Sequence, residues 1–526
     1  PQSSYFSLPQ WLMFFLGPLT SLYILLMILA SLQYWGIYIL SRRVFHLSAW
    51  AASAAGVAFM FNTFVVHRMI IGHVGFHGFA LVPWITLLLV ARWEIPVYPL
   101  NKGGNIVLAA LLITYWFQSG MGSVVIPAAL SVAAIACIAG LRNLIDLPQL
   151  LTRGFAASVL ALGISASKIF AGLTFMSSFP RDGYKLPGFE STIASIEMAL
   201  RAISTPSQSV YHRGTELIQN QQWSLAPHEW SYSLTPVPLL IVALAGLLLL
   251  PATAGFFKRG LTPLKASFLA GLSLILSLPI LLNIYTPEWN STLKQIPLIK
   301  NNSSLIRWYI IYIPVLAIAL GLAIDSVPHW KKWTPIVAGF CMVAIITMAA
   351  TENRKYYFTE GSTHLAIPAI QAWSSLGQTK PSIKEVRVVD RITSLAGNDI
   401  IYAGYSQLLC YNPGFGYSRE HFPVKTLRRG LPLMEQEGVF NLKNPACYVF
   451  PDENNCAVGD HFRLDQRDRL TKFINYRPFE FAISSTQLLA NRTTLFSLFL
   501  AGLSLILMAF TQFTLIVSTL KTRFFV

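Results

Sequence analysis

Charged side chains are scarce in this chain. Only 12% of its 526 residues are Asp, Glu, Lys or Arg, whereas 54% are hydrophobic, and the mean hydropathy is +0.53. A soluble domain of this composition would expose more apolar surface than water tolerates. The composition therefore predicts a polytopic α-helical membrane protein.

The signatures of several soluble enzyme classes are also missing from the sequence. It contains no P-loop, no GxSxG elbow, no CxxC pair and no HExxH motif. Nucleotide hydrolysis, serine hydrolysis and thiol redox chemistry therefore lack support. The formal net charge of +16 would suit nucleic acid, but the basic residues lie mostly at the ends of apolar runs or in one hydrophilic segment. A topology signal explains that distribution, so we expect no nucleic-acid partner.

Apolar runs divide the chain into about eleven predicted membrane spans, since about 20 residues cross a bilayer. The Lys/Arg-rich short loops all fall on one side if every span is real, which makes that side cytoplasmic and places Pro1 outside. A chain that starts outside implies one further helix upstream, for about twelve in total. The predicted spans are 18–41, 48–66, 78–92, 105–118, 121–140, 154–177, 235–252, 266–286, 305–325, 333–351 and 493–519.

Three parts follow from this reading. Residues 1–351 form a multi-span domain whose largest external loop is 179–234, residues 352–491 form an extracytoplasmic domain, and 492–526 hold the last span with a short cytoplasmic tail. The extracytoplasmic block contains alternating stretches such as EVRVVDRI and DIIYAGYSQLL, together with Gly- and Pro-rich turns. These features predict a small α/β or mostly β domain.

A disulfide is predicted in the same external block. Cys447 and Cys456 lie in PACYVFPDENNCAVGD and can close a short loop, while Cys410 is left over or competes as a partner. The acidic residues of this turn could hold calcium through oxygen ligands, but EF-hand spacing is absent. We interpret them as solvated turn residues.

The stretch Phe64 to Trp84, FVVHRMIIGHVGFHGFALVPW, lies between two apolar runs and carries His67, Arg68, His73 and His77. An arginine fork matches phosphate oxygens, and histidine can donate, accept or carry a proton near neutral pH. This mixture suits a phosphorylated amphiphile. Interfacial snorkelling by the arginine and helix capping by the histidines explain the pattern equally well. The two later histidines have the spacing of a helical metal pair, but neighbouring glycines disfavour a regular helix, so we expect no metal there.

A second candidate segment ends the loop 179–234. Apolar residues at near-helical spacing predict an interfacial helix within the loop, and its end, WSLAPHEWSYSLTPVP, places His228 and Glu229 beside two tryptophans. An aromatic belt at the membrane boundary would account for this composition. The functional interpretation is an acid/base or hydrogen-bonding pair at the mouth of a membrane cavity, with both residues as catalytic candidates.

Two basic residues fall inside predicted spans. Lys168 lies in ALGISASKIFAGL and Arg307 lies at the start of the span after KNNSSLI. A charge at such a depth usually faces a cavity or a partner. No acidic residue lies well inside a predicted span to pair with Lys168, which favours a binding role over a structural salt bridge.

Several of these runs together resemble a known family. PQSSYFSLPQWLMFFLGP, GIYILSRRVFHLSAWAASAAGVAFMFNTFVVHRMIIGHVGFHGFALVPW, HEWSYSLTPVPLLIVALAGLL and KNNSSLIRWYIIYIPVLAIALGLAID look like YfhO-type bacterial membrane proteins and, more distantly, the GT-C superfamily of glycosyltransferases. The resemblance covers most of the membrane portion and implies the bacterial cytoplasmic membrane. It also implies that Arg68 and Arg307 lie near the phosphate of a polyprenyl-phosphate-linked sugar.

The resemblance further implies acidic residues, acting as base or metal ligands, in a first external loop upstream of Pro1, and a divalent metal is compatible with it but not required. The C-terminal block resembles external domains of uncharacterised relatives. Two function classes follow. One is a glycosyltransferase that moves a sugar from polyprenyl phosphate to a cell-envelope acceptor, and the other is a non-catalytic scaffold or accessory subunit of a membrane complex. A transporter fits less well because no internal repeat is visible.

Overall fold

The computed structural model describes most of the apolar portion of the chain and three short strands of its hydrophilic block. The described residues are 6–97, 99, 102–122, 124–177, 185–220, 225–250, 261–297, 299–300, 302, 304–353, 355–356, 385–387, 405–407, 427–428 and 483–524. The chain divides into two compact units, Pro1–Tyr357 with Ser484–Val526, and Phe358–Ile483. Each unit is described by itself.

The first unit is built from helices, beginning with those on the N-terminal side of the largest loop. A 3₁₀ helix, Val74–Leu81, precedes α5. The α-helices in this part are α1 Leu8–Phe15, α2 Pro18–Arg43, α3 Ala49–Met60, α4 Thr63–Ile70, α5 Val82–Val90, α6 Gly104–Gln118, α7 Val125–Leu141 and α8 Leu147–Ser177.

The remainder of the first unit adds a short hairpin, further helices and two more 3₁₀ turns that matter for the site. Strands β1 (Gly188–Phe189) and β2 (Ile218–Gln219) pair antiparallel, and the 3₁₀ turns are Pro227–Trp230 and Ile306–Ile311. The α-helices are α9 Thr192–Ser204, α10 Ser207–Leu217, α11 Pro236–Leu248, α12 Pro263–Leu282, α13 Pro287–Gln295, α14 Tyr312–Ser326, α15 Thr334–Thr351 and α16 Ser485–Phe524.

Every apolar run of the sequence contains helix. Within the described residues, seven helical stretches are long and apolar enough to cross a membrane, and four shorter apolar helices, Val74–Val90, Gly104–Gln118, Val125–Leu141 and Pro236–Leu248, occupy the remaining runs. The structure thus supports a multi-pass helical membrane protein. The number of crossings, their orientation and the identity of the membrane stay predictions.

Helix α3 lies at the centre of the first unit, where small side chains allow close helix packing. Its residues from Ala51 to Phe59 are almost all buried, and α2, α14 and α15 pack around it. A Cβ at Gly321 of α14 would lie 3.2 Å from the carbonyl oxygen of Ala51. Such contacts between helix backbones are typical of helix association in membranes.

The last helix, α16, also belongs to this unit and packs along α8, to which it is hydrogen-bonded through polar side chains. The Ser167 hydroxyl donates to Asn491 Oδ1 at 2.6 Å, and Gln487 Nε2 donates to the Ser167 carbonyl at 3.0 Å. Gly163 leaves room for Ser497, since a Cβ at position 163 would lie 2.4 Å from its hydroxyl. Interhelical hydrogen bonds of this kind hold α16 against α8.

The second predicted span is interrupted before it ends. Asn62 separates α3 from α4 and caps α4 by accepting the N–H of Val65 at 3.0 Å. Its amide also donates to Gln33 Oε1 at 2.7 Å and to the Phe59 carbonyl at 2.6 Å. Because asparagine satisfies the free N–H groups of a helix start, the chain can change direction here. The break therefore makes α4, whose last turn carries His67 and Arg68, a helix distinct from α3.

In the second unit the structure describes three short strands in one sheet. Strand β3 (Glu385–Arg387) lies between β4 (Tyr405–Gln407), which is parallel to it, and β5 (Leu427–Arg428), which is antiparallel. The first two fall within the stretches that the alternation predicted as strands. The fold class and the external location of this block stay predictions.

The predicted disulfide lies outside the described residues, as do Cys447, Cys456, Cys410 and the acidic turn between them. The two cysteines that the structure describes, Cys137 and Cys341, are free thiols. Both lie in apolar helices, as the sequence indicated.

We predict that Asn62→Ala lowers the free energy of unfolding by about 1–3 kcal/mol, because it removes a helix cap and leaves buried partners unsatisfied. Asn62→Ser should recover part of this loss, since a hydroxyl can still cap α4 but cannot replace both amide donations. Thermal unfolding of the two variants in detergent measures the difference. Equal melting temperatures for Ala and Ser would contradict the capping role.

Candidate functional site

Arg68 is placed by the way α4 ends. Gly72 has φ +79°, in the left-handed region, and the His73 N–H donates to the Arg68 carbonyl at 2.7 Å while the Gly72 N–H donates to the Met69 carbonyl at 3.1 Å. This pair of hydrogen bonds is a Schellman motif, in which glycine tolerates the left-handed backbone. The motif reverses the chain at the end of α4, so that the His73 backbone stays hydrogen-bonded to the last helical turn.

The guanidinium of Arg68 is wholly buried among aromatic rings. Its central carbon lies 4.0 Å from the ring centroid of Phe64, 5.0 Å from that of Phe76 and 5.7 Å from that of Tyr232. These distances are within the range of cation–π attraction. The guanidinium also lies near the Glu229 carboxylate and the Tyr232 hydroxyl, and its Nε and Nη1 atoms are buried without a hydrogen-bond partner among the described residues.

Glu229 joins Arg68 to Arg307. Its Oε2 lies 3.4 Å from Arg68 Nη2 and accepts from Arg307 Nε at 2.8 Å, while its Oε1 accepts from Arg307 Nη2. The Arg307 contact is bidentate, the strongest arrangement for this pair of groups. Arg307 is the second residue of a 3₁₀ turn, Ile306–Ile311, at the start of a predicted span. We call Arg68, Glu229, Arg307, His73 and His228 the arginine cluster.

Two hydrogen bonds hold the segment after Glu229 against α4. The Thr63 N–H donates to the Ser233 carbonyl at 2.9 Å, and the Ser233 N–H donates to the Thr63 hydroxyl at 2.7 Å. Behind the turn, Gly214 of α10 leaves room for the Trp230 ring, since a Cβ at position 214 would lie 2.2 Å from it. These contacts fix the chain that carries Glu229 against α4 and α10.

The arginine cluster carries more positive than negative charge. Burial alone would raise the pKa of Glu229, but the positive charge and hydrogen bonds of Arg307, with His228 and Arg68, hold that pKa well below its usual range. The carboxylate is thus ionised, and among the described side chains of the cluster two arginines converge on this one glutamate. A carboxylate this weakly basic is a poor general base, so Glu229 is better suited to orient its neighbours.

One histidine contacts the carboxylate, and two more lie around that histidine. His228 Nε2 lies 3.2 Å from Glu229 Oε1, and the His73 ring meets the His228 ring edge-on with centroids 4.6 Å apart. The His67 ring centroid lies 6.3 Å from that of His228, and its Nδ1 is 2.7 Å from the Ser231 hydroxyl. A buried carboxylate that holds an imidazole is the arrangement that fixes its orientation in acid–base sites.

Tyr356 covers this group from the end of the first unit. Its hydroxyl donates to the Pro227 carbonyl at 3.1 Å, and its ring centroid lies 5.6 Å from that of His67. The preceding Glu352 accepts from the Ser207 N–H, at the start of α10, at 2.8 Å. The segment after α15 is therefore fixed to both α10 and the Pro227–Trp230 turn.

The sequence-based candidates separate into two groups. The structure brings together Arg68, His73, His228, Glu229 and Arg307, with His67 at the edge. His77 instead pairs its Nε2 with the Tyr115 hydroxyl at 2.5 Å, and Lys168 donates to the Gln118 carbonyl at 3.0 Å, where α6 ends. A cation at a helix C-terminus is electrostatically favourable. A binding role for His77 and Lys168 stays a prediction.

Reasoning from the sequence missed the aromatic residues that surround Arg68 and the cover provided by Tyr356. Phe64, Phe76 and Tyr232 each lie within a few residues of a charged candidate, and that proximity was the available signal. Among the described residues, no group of three or more His, Cys, Asp or Glu side chains is arranged to hold a metal ion.

Comparisons with known proteins do not identify the chain. No family model, no curated protein and no solved structure matches it.

We predict that Glu229→Gln costs about 3–5 kcal/mol of folding free energy, because it removes the carboxylate that pairs with the wholly buried Arg68 and the partly buried Arg307. Adding Arg307→Gln to that variant should restore part of the loss, since one buried positive charge is then removed. The matched control is Glu197→Gln, an exposed carboxylate that also contacts two arginines, where the cost should stay below about 1 kcal/mol. Equal costs at positions 229 and 197, measured by unfolding in detergent, would contradict a buried charge network.

The titration of His73 gives a separate test. Burial against the cluster, together with the charges of His228 and Arg68, lowers its pKa from 6.5 to about 4. Because folding lowers this pKa, the unfolded chain binds the proton more tightly, and stability falls as the pH drops from 6.5 towards 4. His73→Asn should reduce that pH dependence. A histidine signal at position 73 that titrates near 6.5 in NMR of the folded chain would refute it.

Proposed function

We propose that this protein binds a polyprenyl-phosphate-linked sugar at the arginine cluster and transfers the sugar to a cell-envelope acceptor, as a GT-C-like glycosyltransferase at the outer face of the bacterial cytoplasmic membrane. The observation that carries the proposal is the excess positive charge of Arg68 and Arg307 over Glu229 in a buried, aromatic setting. Both arginines belong to helices that end or begin apolar stretches of spanning length. An amphiphile with a prenyl tail and a phosphate has the same division of polarity.

Each side chain has a role in this reaction. Arg68 and Arg307 stabilise the phosphate as it leaves, and Glu229 holds both in position. The acceptor hydroxyl oxygen forms a bond to the anomeric carbon while the bond from that carbon to the phosphate oxygen breaks. The phosphate departs with the electron pair, and the hydroxyl proton passes to the imidazole of His228, oriented by Glu229.

A non-catalytic scaffold is the second candidate. The observation in its favour is that the only carboxylate of the arginine cluster already pairs with both arginines, as a purely structural ion-pair network would. Such a network would bind no phosphate. The two functions therefore differ in a binding measurement.

We predict that Arg68→Ala and Arg307→Ala each weaken binding of undecaprenyl phosphate about ten- to a hundredfold, since a charge-assisted hydrogen bond contributes about 1.5–3 kcal/mol. Arg68→Lys should recover only part of the affinity, because the planar fork is lost. Titration of the full chain in nanodiscs, followed by tryptophan fluorescence, measures the dissociation constants.

Two controls test whether binding depends on the phosphate of the ligand and on the position of the arginine. Undecaprenol, which lacks the phosphate, should bind weakly and equally to all variants. Arg213→Ala removes an exposed arginine of α10 that also pairs with carboxylates, and it should leave the affinity unchanged. Arg68→Ala leaves the Glu229–Arg307 pair neutral, so the fold should persist. Equal affinity of the native chain for the phosphate and the alcohol would favour the scaffold.

A further inference from the structure

Helix α9 (Thr192–Ser204) buries one face and exposes an apolar one, although at 13 residues it is too short to span a bilayer. Met198 and Ala202 are almost fully buried in the first unit, where α9 packs on α11 and α12. Ile193 is 80% exposed and Leu200 46%, and Ile196 extends the same strip of surface. Three large aliphatic side chains on one exposed strip need a covering environment.

A charged row runs along one side of this apolar strip. Glu197 accepts from Arg201 Nε at 2.8 Å and from Arg213 Nε of α10 at 3.1 Å, and all three side chains are partly exposed. The helix thus has three sides, one towards the protein, one apolar and one charged. A helix that lies in the plane of a membrane surface has this division.

Hydrogen bonds fix α9 at the end of a predicted membrane span. The Ser195 hydroxyl donates to the Ile280 carbonyl at 2.8 Å, in the last turn of α12, and the Phe189 N–H donates to the Asn283 carbonyl at 2.7 Å. At the same end, the Trp289 indole of α13 donates to the Leu281 carbonyl at 3.0 Å. A tryptophan at the end of an apolar span marks the boundary between membrane and water.

The exposed surface of α12 has the same apolar character. Leu274 is 60% and Leu281 42% exposed, as expected for a span that contacts lipid. The hydrogen bonds of Ser195 and Trp289 place α9 and α13 at the end of this apolar helix.

We propose that α9 is an interfacial helix whose side chains Ile193, Ile196 and Leu200 insert into the lipid bilayer at the boundary between headgroups and acyl chains. The Glu197 row then faces water. This membrane contact holds whether or not the arginine cluster binds a phosphate. The end of α9 also contacts the segment that follows Glu229, because the Ile203 carbonyl accepts the Leu234 N–H at 3.0 Å.

Photo-crosslinking tests the proposal in the full chain. p-Benzoylphenylalanine replaces Ile193 or Leu200, and the matched control replaces Arg213 on the charged row. Each variant is illuminated in vesicles of phosphatidylethanolamine and phosphatidylglycerol, and intact-protein mass spectrometry identifies the adducts. We expect phospholipid adducts when the probe is at position 193 or 200, and no phospholipid adduct when it is at position 213.

The native chain provides a second measurement that needs no substitution. A phospholipid with a diazirine in its acyl chain should label the peptide that contains Ile193 and should leave the peptide that contains Arg213 unlabelled. Absence of lipid label on the Ile193 peptide would overturn the proposal. Crosslinks from position 193 to a second copy of the chain would also overturn it, since they would show that protein covers this face.

Discussion

One carboxylate held between two arginines determines how the polar part of this membrane protein is built. Glu229 is only 5% exposed and Arg68 is 0% exposed, and charges this deeply buried need an opposite charge close to them. The bidentate contact with Arg307 brings a third segment of the chain to the same point. Three segments that are distant in sequence, around residues 68, 229 and 307, are thereby joined through ionic contacts, and the excess positive charge that results is the basis of the proposed phosphate site.

Backbone features away from the charges make this arrangement possible. Asn62 interrupts the apolar span so that α4 starts anew, and the reciprocal hydrogen bonds of Thr63 with Ser233 hold the turn of Glu229 beside it. At the other end of α4, Gly72 adopts the left-handed backbone of the turn that leads to His73, the next member of the cluster. The polar residues therefore depend on helix termini for their positions, as is common where chain segments leave a membrane.

Sequence reasoning predicted the helical membrane class because apolar run length is a direct consequence of bilayer thickness. It also selected Arg68, Arg307, His73 and Glu229, because charge beside long apolar runs is unusual. It could not show that Glu229 pairs with both arginines, since such a pairing depends on the three-dimensional path of the chain. For a related reason the sequence did not show which group Lys168 contacts. The sequence offers no acidic residue to pair with it, and in the structure Lys168 donates to the Gln118 carbonyl at the end of a helix.

Whether the arginine cluster holds a phosphate can be seen directly in a cryo-EM structure of the full chain in nanodiscs containing undecaprenyl phosphate. We expect phosphate density within hydrogen-bonding distance of Arg68 or Arg307, with the prenyl chain extending towards lipid. Phosphate density at another site, with Glu229 still paired with both arginines, would contradict phosphate binding at the arginine cluster.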